Sequence, residues 1–134
     1  MVCFDTDVLS AVMKKEPPVA LIRRVARVPR EQQFTTSITL GELLYGAAKR
    51  GSPRLREQVR ELVLQALQIL PFDEPAAEVY GGLRALLESE GKRLSEPDLR
   101  IASIALANDL TLVTGNVRHF APVPDLLVEN WLKD

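Results

Sequence analysis

Short apolar or β-branched stretches alternate with longer segments of helical periodicity along the whole chain, and that alternation leaves few folds open. The stretches are Val2-Cys3-Phe4, Gln33-Phe34-Thr35-Thr36-Ser37, Ile69-Leu70-Pro71-Phe72, Thr111-Leu112-Val113-Thr114 and Leu126-Leu127-Val128-Glu129. Strands separated by helices return in the same direction, because a parallel pair needs a crossover of about a dozen residues or more. The pattern predicts an α/β domain with a mostly parallel sheet. At 134 residues the chain suits one hydrophobic core, so residues 1–134 are read as a single domain.

The helices carry their own punctuation. Asp7 or Ser10 opens a helix that Pro17-Pro18 stops, and a second runs over residues 19–27 to Pro29. Thr39 is read as the cap of a helix bearing Leu40, Leu43, Leu44 and Ala47, broken at Gly51-Ser52-Pro53. Residues 53–68 place Leu55, Val59, Leu62, Val63, Ala66 and Leu67 on one face of a long helix. Asp73 caps a helix over residues 75–90, and Ser95 caps another that starts near Pro97.

No apolar run approaches the ~20 residues that span a bilayer. Met1 leads straight into a strand without a basic segment and apolar run, so no secretory signal is expected. Cys3 is the only cysteine, which rules out an internal disulfide and fits a cytoplasmic protein. The net charge of −1 hides an asymmetry: residues 14–60 carry eleven Lys/Arg against four acids, and residues 61–134 six against twelve. A basic half of this kind either solvates outer helix faces or follows a phosphate backbone.

Three carboxylates stand at element boundaries: Asp5 after the first strand, Glu42 early in the helix after the second, and Asp98 in the first turn of the helix near Pro97. Each has a local reading as a helix cap or dipole partner. Strand C-termini and helix N-termini of an open parallel sheet share one rim, however, and ligands bind there. Two carboxylates about 4 Å apart repel by roughly 4 kcal/mol at an effective dielectric near 20. A hard cation such as Mg²⁺ or Mn²⁺ relieves that repulsion, activates water and polarises a phosphoryl oxygen. Thr114 and Asn116 follow a strand and can bond the carboxylates, Arg118 can meet a phosphate, and His119 can donate a proton. A single His with one distant Cys cannot make a His-based zinc site.

The motifs Asp5-Thr6-Asp7-Val8-Leu9, Ser37-Ile38-Thr39-Leu40-Gly41-Glu42-Leu43, Pro97-Asp98-Leu99-Arg100-Ile101-Ala102 and Thr114-Gly115-Asn116-Val117-Arg118-His119-Phe120 resemble, in that order, those of PIN-domain nucleases. The length and the ending from Val123 to Trp131 resemble VapC-type toxins of toxin–antitoxin pairs. The resemblance implies a three-layer α/β/α fold and an endoribonuclease dependent on Mg²⁺, with Mn²⁺ as substitute. It implies a homodimer neutralised by a VapB-like antitoxin. By position it gives Asp5, Glu42 and Asp98 the metal-binding roles, with Asn116 beside them in catalysis and Thr6, Asp7, Thr114, Arg118 and His119 near the substrate. Many members have a further acid where this chain has Asn116 or His119, so its pocket is less negative. Lys14, Lys15, Lys49 and Arg50 are expected to position the RNA backbone.

Other readings fit less of the chain. Phe4-Asp5-Thr6-Asp7-Val8-Leu9 also resembles the nucleophile motif of haloacid-dehalogenase-like phosphatases, but twenty residues after Thr114 leave no room for that family's later Lys and acidic pair. Flap-type DNA nucleases need long insertions that are absent here. A catalytically degenerate PIN-fold interaction module is the remaining alternative, favoured by Asn116 and His119.

Overall fold

The computed structural model describes residues 1–133. The elements follow as β1 (Val2–Phe4), α1 (Thr6–Val12), α2 (Val19–Ala26), β2 (Gln33–Thr36), α3 (Ser37–Arg50), α4 (Pro53–Val59), β3 (Gln68–Leu70), α5 (Glu74–Ser89), α6 (Glu96–Ala107), β4 (Thr111–Val113), α7 (Val117–Phe120) and β5 (Val128–Glu129). The sheet order is β3-β2-β1-β4-β5, with every pairing parallel.

Alternation along the central strands produces the layers. Val2 and Phe4 of β1 join a core with Val8, Leu9, Leu21, Val59 and Val63, whereas Cys3 between them joins Leu83, Leu87, Leu99 and Ile101. In β4, Val113 faces the first cluster and Leu112 the second. A strand buried on both faces must be apolar throughout, as Val2-Cys3-Phe4 is. The result is a sheet between α1–α4 on one side and α5–α6 on the other. Burial pushes the Cys3 thiol up to about 12, which makes it an inert core residue. Among the described residues no helix is long and apolar enough to cross a membrane.

The C-terminal segment closes the first core. Trp131 is buried and meets Phe4 edge-on at 5.7 Å between ring centroids. The Arg24 guanidinium lies 4.7 Å above the indole and pairs with Glu129 at 3.0 Å. Glu129 also accepts the indole N–H at 2.9 Å.

Several boundaries differ from the sequence reading. Asp5, not Asp7 or Ser10, caps α1, and Thr36, not Thr39, caps α3 by accepting the Thr39 N–H at 3.0 Å. The predicted helix over residues 53–68 is α only to Val59. A π-helical turn, Arg60–Leu64, follows, and the chain has entered β3 by Gln68. Val59 and Val63 are buried, but Leu62 is exposed, so the expected apolar stripe is only partly used. Residues 117–120 form a short helix, anchored by buried Phe120. Gly51 ends α3 at φ 59°, a left-handed conformation that suits glycine.

Candidate metal centre

β1 lies in the middle of the sheet, and the chain leaves it first toward β2 and β3 and later resumes on its other side with β4. The crevice at the carboxyl ends of β1 and β4 is therefore where the strand order reverses, the position at which open α/β sheets bind ligands. Asp5 immediately follows β1, and Thr114 immediately follows β4.

Asp5 is 4 % exposed and fixed from two sides. Its Oδ1 accepts the Thr6 N–H at 2.7 Å, and its Oδ2 accepts the Thr114 hydroxyl at 2.7 Å. Burial pushes the Asp5 carboxyl up to about 6 against the pull of those bonds, and the negative charges of Asp7 and Asp98 push the same way. Asp7 accepts the Gly115 N–H at 2.8 Å. A Cβ on Gly115 would stand 2.6 Å from Asp7 Oδ2 and 2.7 Å from Leu132 Cδ1, so any other residue here displaces one of those side chains.

Glu42 reaches the same rim differently. With Thr36 as the cap, Glu42 lies beyond the first turn of α3 and cannot be the capping-box acid that a Thr39 cap would make it. Its Oε1 instead accepts the Thr6 hydroxyl at 2.7 Å, across the gap between α1 and α3. Asp98 lies at the third position of α6. Its backbone N–H donates to Ser95 Oγ at 3.3 Å, while its carboxylate faces His119, with Nδ1 3.7 Å from Oδ2.

Two residues expected near the substrate bond carboxylates of the rim. Thr114 is wholly buried and gives its one hydroxyl proton to Asp5, so it orients that carboxylate. The Thr6 hydroxyl is likewise committed to Glu42. The Asn116 side chain makes no cap bond and is exposed, but its backbone N–H donates to Thr114 Oγ1 at 3.0 Å. Arg118 is exposed, with no ion-pair partner among the described residues. Gly115 is the member of this cluster that the sequence reading missed. Its signal was a glycine directly after an apolar strand, where close backbone approach is the usual reason.

Among the described residues, no three His, Cys, Asp or Glu side chains stand close enough to enclose a metal ion as placed. Asp5, Glu42 and Asp98 thus border one rim without forming a closed cage. Mg²⁺ does not require one, since it keeps several waters and takes one or two carboxylates together with substrate phosphates. The donor set fits such an ion: it is all oxygen, and no Lys or Arg among the described residues pairs with Asp5, Asp7, Glu42 or Asp98.

The chain matches known proteins along almost its whole length. Residues 2–125 match the PIN domain family. Ribonuclease VapC2 of Rickettsia felis is 39 % identical over 129 residues, which is 96 % of each chain. The tRNA(fMet)-specific endonuclease VapC of Salmonella typhimurium is 33 % identical, with 95 % of each chain covered. Among solved structures, VapBC2 from Rickettsia felis bound to a DNA fragment from its promoter superimposes with a TM-score of 0.85. That match has 32 % identity and covers 98 % of this chain and 99 % of the other.

Proposed function

The chain belongs to the PIN-domain family, among the VapC ribonucleases, and we propose that Asp5, Asp98 and Glu42 hold a divalent cation with which it cleaves RNA. It is an endoribonuclease, the toxin of a VapBC-type toxin–antitoxin pair, and its partners are RNA and a VapB-like antitoxin. The ribonuclease names of its relatives favour this activity over an inert interaction fold.

One observation carries the metal reading: a buried carboxylate, Asp5, sits at the switch point of the sheet under the charges of two further acids, with no base paired to it among the described residues. Such a group needs a proton or a cation, and at neutral pH a cation is the available relief. Mg²⁺, or Mn²⁺ in its place, would supply the positive charge that makes bound water a nucleophile and polarises the phosphate. Asp5 and Asp98 are the direct ligands in this reading, and Glu42 takes part directly or through water. Thr114 and Thr6 hold Asp5 and Glu42 in place. Such bonds to ligand carboxylates are worth about 10–100-fold in metal affinity or activity. Asp7, anchored by Gly115, adds negative charge beside Asp5. Arg118 and His119 face solvent at the rim and are the groups for phosphate contact and proton donation, with Asn116 at the entrance.

Residues 1–134 acting as one domain in the cytoplasm, as a homodimer, complete the proposal. The test uses the purified chain freed of its antitoxin, incubated with RNA and Mg²⁺. Cleavage is expected, stopped by EDTA and by Asp5→Asn or Asp98→Asn in proteins that keep their circular dichroism. Unchanged cleavage by both variants would overturn the assignment. The Salmonella relative makes tRNA(fMet) the first substrate to offer. Mapping new 5′ ends in cellular RNA after brief expression without antitoxin then identifies the target.

A further inference from the structure

A groove of about 590 Å³ opens beside the acidic centre, between α1, α3 and α4. Thr6 and Glu42 belong to its wall as well as to the centre, so the two are continuous. Lys14, Lys15, Arg50 and Arg54 line the rest, and Glu42 is the groove's one acid. Among the described residues none of these four bases forms an ion pair. The second cavity differs: it lies by α5 and α6, and Arg84 in its wall is neutralised by Glu88 and Glu96.

Four unpaired cations crowded into one concavity repel one another, and a ligand with several spaced negative charges relieves all of them together. We propose that this groove is the track along which the RNA strand leaves the cleavage site, with Lys14, Lys15, Arg50 and Arg54 taking its phosphates in succession. The proposal rests on the endoribonuclease reading and extends it to one side of the scissile bond. A strand cut beside Asp5 must continue somewhere, and the groove's wall begins at the residues that hold Glu42. Met13, Leu43 and Leu55 give the groove apolar surface for sugars and bases between the phosphate contacts. The structure alters the sequence expectation for this surface. Lys49 is not part of the groove and lies 5.9 Å over the Tyr45 ring instead, while Arg54 takes a place in the lining.

The test separates the track from the chemistry. Binding of a fluorescent single-stranded RNA is measured by anisotropy in EDTA, against salt, for the antitoxin-free chain and two double variants, Lys14→Gln/Lys15→Gln and Arg50→Gln/Arg54→Gln. Each lost phosphate contact flattens the plot of log affinity against log salt by about 0.7 on a single strand, so each pair is expected to flatten it by about 1.4. In cleavage with Mg²⁺, KM is expected to rise several-fold more than kcat falls. Binding and salt slope unchanged in both variants would overturn the track. So would cleavage and binding like wild type together with lost inhibition by the antitoxin, because the groove would then belong to that protein. RNA binding that needs the four bases, in a chain that cuts no RNA, would support the track and remove the nuclease reading.

Discussion

Thr114 Oγ1 donates to Asp5 Oδ2 at 2.7 Å across 109 residues of chain, tying the ends of the two central strands into one carboxylate support. Thr114→Val keeps the shape and removes the donor. A buried hydrogen bond to a charged group contributes about 1.5–3 kcal/mol. Its loss also leaves the Asp5 carboxylate less well held for a cation. The expected result is a folded protein with Mn²⁺ affinity and RNA cleavage reduced about 10–100-fold. Calorimetric Mn²⁺ titration and an oligonucleotide assay check it, and wild-type values in both would refute the support role.

Gly115→Ala places a methyl group 2.6 Å from Asp7 Oδ2 and 2.7 Å from Leu132 Cδ1. Asp7 is part of a bonded pair with the Gly115 N–H, and half-buried Leu132 packs against the first core, so neither moves without loss. A destabilisation of about 1–3 kcal/mol is expected from the overpacking, with a fall in cleavage as Asp7 is displaced. Urea unfolding at neutral pH measures the first and the RNA assay the second. A variant as stable and active as wild type would show that the strand end yields easily.

Trp131 and His119 form a contrasting pair. Trp131 is buried against Phe4 under Arg24, so Trp131→Ala is expected to cost about 3–5 kcal/mol. The His119 side chain is 65 % exposed, with only a 3.7 Å contact to Asp98. His119→Ala is expected to leave stability within about 1 kcal/mol, because exposed ion pairs contribute little. Its effect, if His119 donates a proton, is confined to the rate of cleavage. Denaturation curves for both variants beside their cleavage rates separate the two roles, and a large stability loss at His119 would contradict this account.

What could be read from the sequence was whatever one segment settles by itself. The caps Asp73 and Ser95 act locally and form as expected, each accepting from the N–H three residues on. Thr36 and Thr39 were confused because both are threonines near a strand–helix junction. Only the three-dimensional turn decides which hydroxyl meets which N–H, and that decision also removes the capping reading of Glu42. The acids at element boundaries were legible because a parallel sheet brings strand ends to one rim. Their bonds were not, since Thr6–Glu42 and Gly115–Asp7 join residues far apart in the chain. The π-helical turn at Arg60–Leu64 has no signal in its residues that distinguishes it from continued α-helix.

Asp5 gives the metal-free protein an unusual pH dependence. Its carboxyl is pushed up to about 6 by burial, above the ordinary 3.8 of an unfolded aspartate. Between those values the folded chain holds the proton more firmly, so this group's contribution is complete below about pH 4 and is lost as pH rises through 6. A gap of roughly two units corresponds to about 3 kcal/mol. Asp5→Asn carries no charge at any pH and escapes the loss. In EDTA at pH 7 the variant is therefore expected to melt above wild type, with the difference closing toward pH 4. Mg²⁺ should raise the melting temperature of wild type at pH 7 and not that of the variant. The rise should shrink below about pH 6, where the proton competes with the cation for the same oxygens. Melting curves across that range, with and without Mg²⁺, decide the matter. A variant less stable than wild type at pH 7 in EDTA would mean that Asp5 is balanced by charge within the protein itself and has no need of a cation.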